Sequence, residues 1–105
     1  MLITGYNKKR DSVISEVEKF LSDCENKDII SSGTLEESGG AGSFETFYIT
    51  FEIPDNESDA WAIRFSGHGG SYSNPDFALW NDDFKTVTEL KEAILACIEE
   101  AKGNC

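Results

Sequence analysis

Phe44-Glu-Thr-Phe-Tyr-Ile-Thr-Phe-Glu-Ile53 decides how the rest of the chain must be arranged. Phe47, Ile49, Phe51 and Ile53 alternate with Thr46, Tyr48, Thr50 and Glu52. A period of two is that of a strand with one face in the core and the other outside it. An isolated strand is not stable, so this one demands neighbours in a sheet and a layer over its apolar face.

The neighbour downstream is Trp61-Ala-Ile-Arg-Phe-Ser66, where Trp61, Ile63 and Phe65 face inward and Ala62, Arg64 and Ser66 outward. Between the two lies Pro54-Asp-Asn-Glu-Ser-Asp59, read as a turn, which makes the pair antiparallel. Matching inward faces requires paired positions to sum to an even number, such as 51 with 61 or 51 with 63. Arg64 then lies opposite Tyr48 or Thr50. His68 extends the outward set of Arg64 and Ser66, with successive Cα atoms about 6.6 Å apart. Glycines 67, 69 and 70 and Pro75 turn the chain, and Phe77 to Trp80 gives a last short strand. Phe77 and Leu79 point inward there, leaving Trp80 outward beside Arg64.

Upstream, Asp28 to Glu37 reads as a strand joined to Phe44 through the small residues 38–43. Leu2 to Tyr6 is a short edge strand or a hydrophobic lead-in. Val13, Ile14, Val17, Phe20, Leu21 and Cys24 recur at helical spacing, predicting a helix from about Asp11, with Asp11 or Ser12 as its N-cap. At the other end Thr86-Val-Thr-Glu89 is a capping box. It opens a helix with Val87, Leu90, Ala93, Ile94, Cys97 and Ala101 in its stripe and Gly103 as its C′ residue. The expected fold is α+β over residues 1–105 as one domain. A three- to four-stranded antiparallel sheet carries the N- and C-terminal helices on one face, in the order α-β-β-β-(β)-α. The opposite face meets solvent or a partner.

Composition narrows the function. The 39% hydrophobic and 11% aromatic content of these 105 residues suits a folded protein. The net charge of −11 repels nucleic acid and anionic membranes and attracts basic partners. Residues 28–84 hold eleven acids against Arg64 alone, so the strand region is the acidic part. Cys24, Cys97 and Cys105 form no CxxC pair, which speaks against structural zinc and dithiol chemistry. Met1-Leu2-Ile3 is too short an apolar run for a signal peptide and no span follows; the expectation is a reducing, cytoplasmic setting.

Three constellations imitate known chemistry. The glycines of residues 38–43 lack the Lys-Ser/Thr pair and following helix of a phosphate loop. Asp55, Glu57 and Asp59 fall at calcium-loop spacing, but Ala60 and Ser66 stand where glycine and glutamate are required. Ser66, His68 and Asp76 have the residue types of a hydrolase triad, yet Ser66 and His68 run parallel along one extended segment. No metal or cofactor is expected. Aromatics with polar tips, together with Arg, are enriched at protein interfaces. The expected partner-binding residues are therefore Trp80, Tyr72, Tyr48, Arg64 and His68, with Asp76, Asp82, Asp83 and Glu52 supplying charge.

In size, acidity and want of catalytic motifs, the chain resembles small inhibitors encoded by phages and mobile elements, of the anti-CRISPR and anti-restriction kind. The likeness is one of general character and carries over no site residues. It implies a non-enzymatic protein that blocks a basic, nucleic-acid-binding enzyme, in some cases by mimicking DNA. An immunity or antitoxin protein against a basic nuclease shares these features. A small enzyme or ligand-binding domain centred on Arg64, Ser66 and His68 is the reading from another class, and a homodimer through the open sheet face is a third.

Overall fold

In the computed structural model, residues 7–37, 47–66, 76–80 and 83–103 are described, less the side chains of 7–11, 37 and 66. The elements are α1 (Asn7–Asn26), β1 (Ser32–Glu37), β2 (Phe47–Ile53), β3 (Asn56–Ser66), β4 (Phe77–Trp80) and α2 (Val87–Gly103). The strands form one sheet in the order β1-β2-β3-β4. This is the α+β arrangement that the alternation demands.

The β2–β3 register pairs Phe51 with Trp61, Ile49 with Ile63 and Tyr48 with Arg64. Phe47, Ile49, Phe51, Ile53, Ile63 and Phe65 are buried in one cluster with Val13, Val17 and Leu21 of α1 and Leu90, Ile94 and Ile98 of α2. Stacking of Phe65 on Phe47 (ring centroids 4.8 Å) and on Phe84 (6.4 Å) fills the middle of that layer. Trp61 is half-buried and stacks on Phe77. The helices are tied to each other by Lys91, whose Nζ donates to Glu16 Oε1 at 2.8 Å. That hydrogen bond and the lysine charge hold the Glu16 carboxyl below its ordinary value.

Several local readings are corrected. β4 runs parallel to β3, pairing Ile63 with Phe77 and Ser66 with Trp80, where an antiparallel closing strand was expected. Ten residues separate Ser66 from Phe77, and at about 3.3 Å each they can retrace the length of a four-residue strand. The β2–β3 connection is only Pro54-Asp55, with Ile53 paired to Asn56. Pro54 holds φ at about −65° and Asp55 lies at φ 71°, the type II pattern. Tight hairpins favour turns with positive φ at the first central residue, since these match strand twist. The mismatch falls beside the register shift between Glu52 and Ile53.

α1 starts at Asn7, so Asp11 and Ser12 are helical residues and not caps. It ends in a Schellman motif: the Ile29 N–H donates to Cys24 O and the Asp28 N–H to Glu25 O, with Asp28 at φ 59° in the usual glycine position. β1 begins at Ser32 rather than Asp28, so Ile30 precedes the strand and is fully buried behind the helix end. A Cβ at Gly33 would lie 2.7 Å from Ile30 Cδ1, so any larger residue there requires that buried side chain to shift. The capping box of α2 forms as expected. Thr86 Oγ1 accepts from the Glu89 N–H, while Glu89 Oε1 accepts from the amides of Thr86 and Lys85. Those backbone donors, Lys85 first, lower the Glu89 pKa. Gly103 is the last helical residue and does not adopt a left-handed C′ conformation.

Cys24 and Cys97 are buried free thiols on the two helix stripes. Burial raises both pKa values, that of Cys97 to about 11 with a further push from Glu100. Cys105, the Leu2–Tyr6 segment and residues 38–43 lie outside the described residues.

Candidate partner-binding face

The sheet face opposite the helices is built from the second half of the same alternation. Thr34 of β1, Tyr48, Thr50 and Glu52 of β2, Ala60, Ala62 and Arg64 of β3, and Ala78 and Trp80 of β4 fall on it by register. Most of its middle is small: Thr34, Thr50 and Ala62 lie in one cross-strand row. The face has different chemistry at its two ends.

One end is aromatic and cationic. Tyr48 pairs with Arg64, and Ala78 flanks Arg64 on the other side. Arg64 is 3% exposed, the only buried charged residue among those described. Its guanidinium carbon lies 5.3 Å from the centroid of the Trp80 ring. An arginine under an indole gains a cation–π contact and supports the ring from below. Trp80 itself is 37% exposed, the one large hydrophobic left open among the described residues. The expected alternation in β4 holds: Phe77 and Leu79 are half-buried, Ala78 and Trp80 exposed.

The other end is acidic. Four residues along β2 from Tyr48, about 13 Å away, stands Glu52, and the hairpin beyond it exposes Asp55, Glu57 and Asp59. Residues 57–59 fall between the pairs Glu52–Ala60 and Ile53–Asn56 and have no register partner. In sequence these three acids read only as an incomplete calcium loop, whereas the structure exposes all three at the hairpin end of the β2–β3 pair. Their position in a hairpin joining the two central strands was the available signal.

Of the expected binding residues, Tyr48, Arg64 and Trp80 come together. Glu52 shares their face at the far end, and its carboxylate is engaged: Oε1 accepts from Ser32 Oγ at 3.1 Å. Asp76 serves the fold, since its Oδ2 accepts the Ala62 N–H at 2.8 Å just below the first β3–β4 pair. That bond sets where β4 begins, and it takes up an oxygen that a Ser66–His68–Asp76 triad would use. Asp83 is exposed beyond β4. His68, Tyr72, Asp82 and the Ser66 side chain lie outside the described residues. Among the described residues, no group of three or more His, Cys, Asp or Glu side chains is placed to hold a metal ion. No described helix is long and apolar enough to cross a membrane.

Compared with known proteins, the chain matches no family model, no curated sequence and no solved structure. The chemistry of this face therefore rests on its own geometry.

Proposed function

We propose that this is an acidic protein-binding domain that inhibits a basic partner, a nucleic-acid-binding enzyme such as a CRISPR effector or a nuclease, in the cytoplasm. The observation that carries the reading is Trp80, an exposed indole supported by a buried arginine on the sheet face that, among the described residues, no helix covers. Interface energy concentrates in such aromatic anchors. Exposed ion pairs contribute only ~0–1 kcal/mol each, so the acids serve approach and the indole serves retention. The exposed hairpin acids Asp55, Glu57 and Asp59 and the net charge of −11 suit a basic groove and repel nucleic acid itself. Buried thiols without a disulfide between them suit a reducing compartment.

Immobilised protein is used to capture partners from a bacterial lysate, and their kinetics are then measured with purified components. A basic nucleic-acid-binding protein is expected at low salt and is released at high salt. Trp80→Ala is expected to speed dissociation at a cost on the order of 2 kcal/mol, and Asp83→Lys mainly to slow association. Unchanged dissociation for Trp80→Ala in a variant that stays folded would remove the anchor from this account.

A further inference from the structure

β1 is an edge of the sheet: it pairs with β2 and, among the described residues, with no strand on its other side. The Gly33 N–H points away from β2, because it donates to Glu25 Oε1 of α1 at 3.0 Å. In an antiparallel ladder the outward groups recur every second residue, so the backbone of Leu35 and Glu37 presents its amides to the same side. The Glu25 carboxylate thus occupies the place where a neighbouring strand's carbonyl would accept.

Beside this edge an open groove of about 300 Å³ runs between α1 and β1, lined by Glu18, Leu21, Gly33, Thr34 and Leu35. Its floor is apolar, from Leu21 and Leu35. Its rim is acidic: Glu18 lines it, and Glu25 stands seven residues, or about 10 Å, further along α1. No basic side chain is among its lining residues. Floor and rim together match the two parts of a lysine or arginine side chain, whose stem packs on apolar surface while its head stays at the charged margin.

We propose that β1 and this groove take up an extended, lysine- or arginine-bearing segment of a partner protein as a fifth strand. The added strand bonds to the outward amides and carbonyls of Leu35 and Glu37 and displaces Glu25 from the Gly33 N–H. Its helix-side residues lay their stems over Leu21 and Leu35 and direct their cations to Glu18 and the freed Glu25. Its other residues fall beside Thr34 on the open face. Main-chain pairing supplies affinity and alternate side chains supply selectivity, as in strand addition generally. A second copy of the chain fits less well, because it brings another −11 charge to an acidic rim. This surface is separate from Trp80, so the proposal stands or falls independently of the anchor.

The test uses the full chain and the peptide Ac-Thr-Lys-Val-Lys-Val-Lys-Thr-amide, followed by amide chemical shifts and hydrogen exchange. A control peptide of equal charge carries N-methyl groups at alternate residues and cannot pair along one edge. Binding of the first peptide is expected to slow exchange at Leu35 and Glu37, and N-methylation to weaken it by about tenfold or more. Glu18→Lys, an exposed change that leaves the core intact, is expected to weaken it by a similar factor. Trp80→Ala is expected to leave it unchanged. Equal binding of both peptides, with shifts at Asp55, Glu57 and Asp59 instead of Leu35 and Glu37, would overturn the proposal in favour of simple charge attraction. So would a peptide-free dimer in sedimentation with the β1 amides already protected.

Discussion

The two faces of β2 and β3 carry residues that are neighbours in sequence and opposite in physical role. On the helix side, Phe47, Ile49, Phe51, Ile53, Ile63 and Phe65 are each 4% exposed or less. On the other side, Tyr48, Thr50, Glu52, Ala60 and Ala62 keep access to solvent, and the single buried group among the described side chains is the charged Arg64. Burial on the first face is bulk removal of apolar surface from water. Burial on the second is local and specific, because a guanidinium is held beneath one indole. The first face makes the protein fold, while the second gives it something to present.

The largest expected effect tests that division directly. Phe51→Ala should cost ~3–5 kcal/mol, since a fully buried ring leaves a cavity in the central layer. Thr50→Ala, one residue away and exposed, should change stability by less than about 0.5 kcal/mol. Urea unfolding monitored by circular dichroism compares them, and equal effects would refute the two-face description. Arg64→Ala comes next. Loss of the cation–π contact and of the buried stem should cost about 2 kcal/mol. It should also shift the emission of Trp80 to the red when Trp61 is replaced by Phe.

Gly33 sharpens the comparison at the sheet edge. An added methyl gains about 0.4–1 kcal/mol by restricting the unfolded chain, but at 2.7 Å it strikes the fully buried Ile30. Overpacking should win, leaving Gly33→Ala destabilised by about 1 kcal/mol, whereas exposed Thr34→Ala is nearly neutral. The smallest effect is expected where the alternation slips. Asp55 holds φ at 71°, so Asp55→Gly should relieve strain and raise stability by about 0.5–1 kcal/mol. An unchanged melting temperature for that variant would mean that the aspartate carries no conformational cost.

Side-chain alternation made β2, the core of β3 and the outward direction of Trp80 legible in the sequence, and it narrowed the partner of Arg64 to Tyr48 or Thr50. The capping residues Thr86 and Glu89 were legible for the same reason: their chemistry is local. What escaped was set by geometry between elements. The parallel direction of β4 depends on how residues 67–76 return, and period-two patterning is identical for either direction. The burial of Ile30 follows from an Asp, not a Gly, adopting the left-handed position at residue 28. Asp76 looked like surface charge because nothing in the sequence says that Ala62 needs an acceptor.

The tie between Glu16 and Lys91 spans 75 positions of the chain, and Leu90, Ile94 and Ile98 are each wholly buried. On the ribosome, where synthesis proceeds at about 5–20 residues per second, the sheet emerges before α2 does. For about 1–5 seconds its apolar face has only one helix to cover it, so Phe65 and its neighbours are exposed to chaperones or to other nascent chains. Any premature stop before residue 87 therefore yields a product with half a lid, suited to degradation and not to binding.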